Sequence, residues 1–217
     1  VEPGLLEGNY TYYCAVTCDG YTVNSDNATL YVASAEGNYT VTASNGITLS
    51  YPTLETAITA AKSKPNSTVK LLADATTAST VEVSSGTFTV DLNGKTWACT
   101  GGLWLKYGSN VTLKDSAGGG VMTRATSITI CVSDAILTVE SGTYKNTSYQ
   151  TGGGTPTAVL FVNTGDAGSV TIRGGRFESS DPVGRAAYFQ QANVDISGGY
   201  FGTMSVYFES CKSVALS

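Results

Sequence analysis

Short runs of alternating apolar and polar residues fill most of the chain, and one of them is written several times. Ser169–Phe177 reads Ser-Val-Thr-Ile-Arg-Gly-Gly-Arg-Phe: a short alternating run, a two-glycine turn and an aromatic. Val194–Phe201 repeats it as Val-Asp-Ile-Ser-Gly-Gly-Tyr-Phe, and Leu137–Tyr144 as Leu-Thr-Val-Glu-Ser-Gly-Thr-Tyr. Val111–Asp115 and Val90–Trp97 are looser copies. Alternation with period two predicts strands with one buried face. Aligned on the first apolar residue, the copies begin at Val69, Val90, Val111, Leu137, Val170, Val194 and Val214. The intervals are roughly 20 to 30 residues, the length of one solenoid rung.

The alignment makes columns. One inward column reads Val69, Val90, Val111, Leu137, Val170, Val194, and the next reads Leu71, Leu92, Leu113, Val139, Ile172, Ile196. The outward column between them reads Lys70, Asp91, Thr112, Thr138, Thr171, Asp195. Its threonines resemble those of ice-binding solenoids, but the charged residues interrupt them, and β propensity explains Thr there. Lys114, Glu140 and Arg173 fall on successive rungs as a surface ion ladder, worth a few tenths of a kcal/mol per contact. Trp97, Tyr144, Phe177 and Phe201 follow the glycine corner and are expected to stack inside. Further strands complete each rung, among them Val81–Val83, Leu103–Tyr107, Ala158–Val162 and Ala186–Phe189. Strands without intervening helices describe an all-β fold, a parallel β-helix, right-handed by crossover chirality.

Two stretches break the pattern. Thr53–Lys64 carries Leu54, Ala57, Ile58 and Ala61 on one helical stripe, with Thr53 as cap, Glu55 in the first turn, and Pro65-Asn66 as its stop. Residues 1–33 hold a strand over Tyr10–Thr17, an Asp19-Gly20 turn and a second strand over Ala28–Val32. Tyr12-Tyr13-Cys14-Ala15-Val16 resembles the F strand of an immunoglobulin-like domain, with Tyr12 two residues before the cysteine. Ala28–Val32 resembles the closing G strand. The expected domains are therefore 1–33, the end of an immunoglobulin-like domain entered midway, and 34–217, a β-helix with capping helix 53–64. Val214-Ala215-Leu216 reads as the start of a further rung.

Composition narrows the chemistry. The chain has 217 residues, no histidine and a net charge of −5. An acidic surface argues against nucleic acid and anionic membrane as partners. Without histidine, Ser-His and Cys-His nucleophile pairs and imidazole metal sites are excluded. The five cysteines, Cys14, Cys18, Cys99, Cys131 and Cys211, are too sparse for a disulfide framework. Cys14 and Cys18 on one strand lie about 13 Å apart and could pair only if the strand breaks between them. No apolar run is long enough to span a membrane.

The helix, then Val69-Lys70-Leu71-Leu72-Ala73-Asp74, then Val90-Asp91-Leu92-Asn93-Gly94-Lys95-Thr96, resembles the start of parallel β-helix domains in large surface proteins of Gram-positive, often gut, bacteria. These domains are similar in fold to pectate lyases and β-helical adhesins. The resemblance implies a secreted or wall-attached module of a larger chain, with the helix covering an open sheet edge. Enzymes of this fold hold calcium on clustered acids with an Arg or Lys base, or use two or three Asp on neighbouring rungs. No window of this sequence offers either set, so no metal and no cofactor is expected. The remaining catalytic candidates are Glu178, Asp181 and Arg185 in the loop after Phe177. A second long loop, residues 145–157, suits a protruding contact. Trp104 alternates with Leu103 and Leu105 and so points outward; Tyr188 and Tyr207 are expected to do the same and to offer a platform for sugar rings. The expected function is a non-enzymatic adhesin or stalk contacting glycans or host surface proteins, with a polysaccharide lyase or glycoside hydrolase as the alternative.

Overall fold

The computed structural model describes residues 8–32, 37–125, 127–147, 158–165, 168–180, 184–202 and 206–217. From Ser67 onward the chain winds through three parallel sheets in turn, three strands to a rung. The first sheet stacks Ser67–Leu71, Thr87–Asp91, Asn110–Lys114, Ile136–Val139, Ser169–Ile172, Asn193–Ile196 and Ser213–Leu216. The second runs from Ala75–Thr77 to Tyr200–Phe201 and the third from Val81–Val83 to Val206–Glu209, six strands each. The fold is a β-solenoid, a parallel β-helix.

Its interior is mostly aliphatic on the first and third sheets, with Phe88 and Phe189 as buried exceptions, and mainly aromatic on the second. Trp97, Met122, Tyr144, Phe177 and Phe201 pair rung to rung. The rings of Tyr144 and Phe177 lie 5.3 Å apart, and those of Phe177 and Phe201 5.2 Å. Met122 occupies the rung between Trp97 and Tyr144, so a flexible thioether fills one position of the inner stack.

The register departs from the sequence alignment at one step. Val69 pairs with Val90, but Val90 pairs with Leu113, and Val111 pairs with Phe88. The first two rungs are therefore displaced by two residues relative to the rest. A two-residue slip leaves every side chain on its own face, so hydrophobic pattern cannot detect it. The correction matters on the outside. Lys70 and Asp91 belong to the neighbouring column, with Lys114. Thr68, Thr89, Thr112, Thr138 and Thr171 form an unbroken outward row that ends at Asp195. Of the expected ion ladder, Glu140 and Arg173 approach to 4.0 Å.

The glycine corners have two distinct causes. At Gly175 and Gly199 φ is +92° and +101°, values that L side chains rarely adopt. At Gly174 and Gly198 the constraint is space: an added Cβ would lie 2.2 Å from the Glu140 carbonyl oxygen or 2.3 Å from that of Arg173. A different device ties the corner after the second and third rungs. Asp91, only 2% exposed, accepts from the Asn93 and Ser116 amides through Oδ1. Asp115 accepts from Gly94 and Gly120. Each carboxylate thus holds its own turn and that of the adjacent rung.

Helix α1 spans Leu54–Lys62, two residues shorter than expected at its end, and buries Leu54, Ala57, Ile58 and Ala61. It packs on the first strands of the first and second sheets. The edge of Ser67–Leu71 is not covered by α1; it is paired by Tyr39–Thr42, which runs antiparallel and forms a hairpin with Thr48–Tyr51. The helix closes the core end instead. Thr53 Oγ1 accepts from the Thr56 amide at 3.2 Å. Thr53→Ala is expected to lower stability by about 1 kcal/mol, read as a shift in the urea midpoint, because one helix-end amide loses its acceptor.

Residues 8–32 form one antiparallel ribbon. Gly8–Tyr12 pairs with Ala28–Val32, and Ala15–Cys18 with Tyr21–Asn24 around Asp19-Gly20. The single strand expected over Tyr10–Thr17 is broken at Tyr13-Cys14. There the Cys14 amide donates to Ser25 Oγ and its carbonyl accepts from the Ser25 amide, replacing the regular ladder. Cys14 and Cys18 are both exposed and free, and the strand between them is continuous. The expected boundary at residues 33 and 34 lies outside the described residues.

Candidate functional site

The third sheet carries the outward chemistry. Its strands bury Leu103, Leu105, Ile130, Val132, Leu160 and Val162, so the residues between them face out. Pairing then fixes one outer column: Glu82, Trp104, Cys131, Phe161, Tyr188 and Tyr207. All three aromatics expected to contact sugar fall in this column. Phe161 and Cys131 also belong to it, and the sequence reading missed both. The signal was available, because each sits one residue after an inward aliphatic on its strand.

The aromatic rings are stacked rather than laid flat. Phe161 and Tyr188 lie 5.5 Å apart at 18°, and Tyr188 and Tyr207 5.1 Å apart at 19°. Tyr188 therefore points outward but is only 6% exposed, both faces covered by its neighbours. This corrects its expected part as an open platform. Trp104 and Tyr207 remain 37% and 46% exposed. The Lys106 ammonium sits 3.8 Å from the Trp104 ring centre. Arg185 lies 5.2 Å from both the Tyr188 and Tyr207 rings.

A polar column runs beside the rings: Lys106, Ser133, Asn163, Gln190 and Glu209. Asn163 Nδ2 donates to Gln190 Oε1 at 3.2 Å, and Gln190 Nε2 donates to Glu209 Oε2 at 3.3 Å. The Tyr188 hydroxyl donates to the same Glu209 oxygen. Trp104 Nε1 donates to Ser133 Oγ at 3.5 Å. The face thus combines ring edges, two exposed rings and a row of amide and hydroxyl groups.

The catalytic candidates do not share one environment. Glu178 lies on the second sheet, bound to Lys145 at 3.1 Å and to Arg176. Its partial burial favours the neutral acid, but hydrogen bonds and charge from Lys145 and Arg176 outweigh it and hold the carboxyl below its usual range. Arg185 belongs to the third sheet, against the tyrosines. Asp181 lies outside the described residues, as does most of the 145–157 loop. Among the described residues no group of three or more His, Cys, Asp or Glu is placed to hold a metal ion.

Five free thiols divide by burial. Cys99 is buried, donates to the Thr123 carbonyl at 3.3 Å, and burial pushes its pKa up to about 11. Burial likewise pushes Cys131 to about 11, against the opposing effects of Ser133, Lys106 and Arg124. At about pH 8 a disulfide reagent is expected to label Cys14 and Cys18 fast and Cys99 and Cys131 slowly. The native pKa of each of these two thiols lies above the ordinary 9.0, so their contribution to stability is complete below that pH. It is lost as pH rises through about 11. Alkaline melts of wild type and a Cys99→Ala, Cys131→Ala variant measure it: the variant should lose part of the slope.

No family model matches the chain, and no curated protein or solved structure matches it either.

Proposed function

We propose that the chain is a non-catalytic module of a secreted or cell-surface bacterial protein, an adhesin or stalk that contacts glycans or host surface proteins. The contact surface is the outer face of the third sheet. The observation that carries this reading is the column Trp104, Phe161, Tyr188 and Tyr207 set beside Ser133, Asn163, Gln190 and Glu209. Sugar rings present apolar C–H faces and polar rims, and a surface alternating ring carbon with amide and hydroxyl groups matches both. A pectin-lyase-like ancestry is the part of the reading that rests on resemblance alone.

Residues 1–33 are read as the closing strands of an immunoglobulin-like domain. The ribbon leaves Val16 and Val23 at 62% and 72% exposure. Two strands alone bury too little to hold themselves, and the remaining strands of such a domain would cover those residues.

The test is a glycan array and host-matrix binding assay on wild type, Trp104→Ala and Tyr207→Ala. Binding by wild type that falls roughly tenfold in either variant supports the reading. Binding unchanged by both substitutions, or turnover of a polysaccharide by wild type, would sink it.

A further inference from the structure

The nine-stranded sheet ends on an open edge. Its last strand, Thr48–Tyr51, pairs with Tyr39–Thr42 alone. The hydrogen bonds around that hairpin show which way its backbone groups face. The Ala43 amide donates to the Ile47 carbonyl at 2.8 Å, closing the hairpin in the same register. Hydrogen-bonded pairs alternate along an antiparallel ladder, so Val41–Leu49 and Tyr39–Tyr51 are the next two. On the other flank the Leu72 amide donates to the Asn38 carbonyl, which likewise leaves the groups of Tyr39 to Tyr51. Thr48 and Ser50 therefore turn their amides and carbonyls to the free edge. The strand carries no charge or proline, two devices that usually blunt an edge.

A groove of about 530 Å³ lies beside that strand, between Leu49 and Tyr51 on one side and Thr56, Ala60 and Ser63 of α1 on the other. Ile47 precedes the strand, on the same face by alternation, and is 58% exposed. Glu55 and Lys64 also line the groove, one of each sign, so the net charge of −5 is not concentrated there. One register makes this edge complementary to itself. A second copy laid antiparallel, Leu49 against Leu49 of the second copy, sets Thr48 and Ser50 against Ser50 and Thr48 of that copy. Each of these pairs exchanges both of its hydrogen bonds, so every outward amide and carbonyl of the strand is used. On the α1 side Ile47 meets Tyr51 of the second copy, and the two leucines meet each other. On the opposite side threonine meets serine, so apolar and polar faces agree at every position. A shift of one residue would set Leu49 against a hydroxyl side chain. A shift of two would lose one of the hydrogen-bonded pairs.

We infer that the Thr48–Tyr51 edge is the contact of a homodimer, in which two first sheets join antiparallel across a two-fold axis at Leu49. Such a contact is isologous: the same patch serves both copies and closes on itself. Its apolar side chains fill the groove beside α1 in each copy. The contact is small beside a standard interface, and its dissociation constant is on the order of 10 µM. Each dimer carries two third-sheet faces, so a ligand array engaged by both is held more tightly than by one. That gain rests on the glycan-binding reading above; the pairing itself does not.

Sedimentation velocity of the whole chain over roughly 1 to 200 µM tests the pairing. Wild type is expected to pass from monomer to dimer across that range. Ser50→Pro removes an amide that faces the free edge, so it should keep the melting temperature and stay monomeric. Ile47→Lys, at an exposed position, should weaken the dimer at least about tenfold. The register has its own readout, in a Cys14→Ser, Cys18→Ser background. There Leu49→Cys should link two copies on mild oxidation, because the axis sets that position opposite itself, and Ser50→Cys should not. A monomer throughout the range overturns the inference, and slow hydrogen exchange at the Ser50 amide of that monomer would assign the edge to another segment of the chain. A dimer that persists in both Ser50→Pro and Ile47→Lys, or linking in the Ser50→Cys variant alone, overturns it as well.

Discussion

Trp97→Ala is expected to cost about 3 to 5 kcal/mol and to lower the melting temperature by roughly 10 °C or more. Trp97 is fully buried at the start of the inner aromatic column, packed between Ala75 and Met122 on the flanking rungs. Its indole N–H donates to Thr77 Oγ1 at 3.1 Å, and Thr77 is itself fully buried. Truncation therefore opens a large cavity and leaves a buried hydroxyl without its donor, and the two penalties add. Trp97→Phe separates them: it keeps most of the volume and loses only the hydrogen bond. It should cost about 1 to 2 kcal/mol. Thermal melts followed by circular dichroism decide the matter. A loss below about 1 kcal/mol for the alanine variant would mean that the rungs repack freely, which close-packed interiors do not.

Gly174→Ala is expected to be more damaging than Gly175→Ala, although the second glycine has the unusual backbone. An alanine at 175 pays for φ +92° and meets only side-chain carbon at 3.1 Å and further off, apart from a carbonyl at 3.3 Å. That is a strain of about 1 to 2 kcal/mol. An alanine at 174 would overlap the Glu140 carbonyl oxygen at 2.2 Å. Glu140 cannot withdraw, because its amide is bound at 2.9 Å to the Leu113 carbonyl of the rung before. Relief requires the two rungs to part at that corner, with an expected loss above about 3 kcal/mol. Gly118→Ala, with φ +80° and open space around it, is the control at about 1 kcal/mol. A urea midpoint lower for Gly175→Ala than for Gly174→Ala would contradict the close-approach account.

Period-two alternation carried the architecture because each strand shows the solvent one face and the core the other. The inward faces and most strand positions of the solenoid were legible on that basis, and the helix with its Thr53 cap from its own stripe at helical spacing. What alternation cannot encode is register in steps of two. Phe88 and Val90 are equally apolar, so only the folded chain reveals that Phe88 stacks on Val111. The same blindness split the threonine row in the sequence reading. Trp104, Tyr188 and Tyr207 were each legible as outward residues, but their membership of one column depends on the lengths of the loops between them. Burial of Tyr188 depends on its stacking partners and was not legible at all. The Asp91 and Asp115 ties were hidden because their partners are backbone amides of an adjacent rung, which no side-chain motif records. The break at Cys14 was hidden for a similar reason, since its hydrogen-bond partner Ser25 lies in the segment between the two returning strands.

The succession of rungs also sets how the molecule would answer to a pull. Each rung is held by its neighbours alone. Tension would therefore free the solenoid one rung at a time. Val170 and Val194 are paired across one step, so freeing that rung releases about 24 residues. Roughly 80 Å of extended chain would replace about 5 Å of stacked height. A tether built this way yields in discrete lengths, absorbing work at each one while the rungs beneath remain folded.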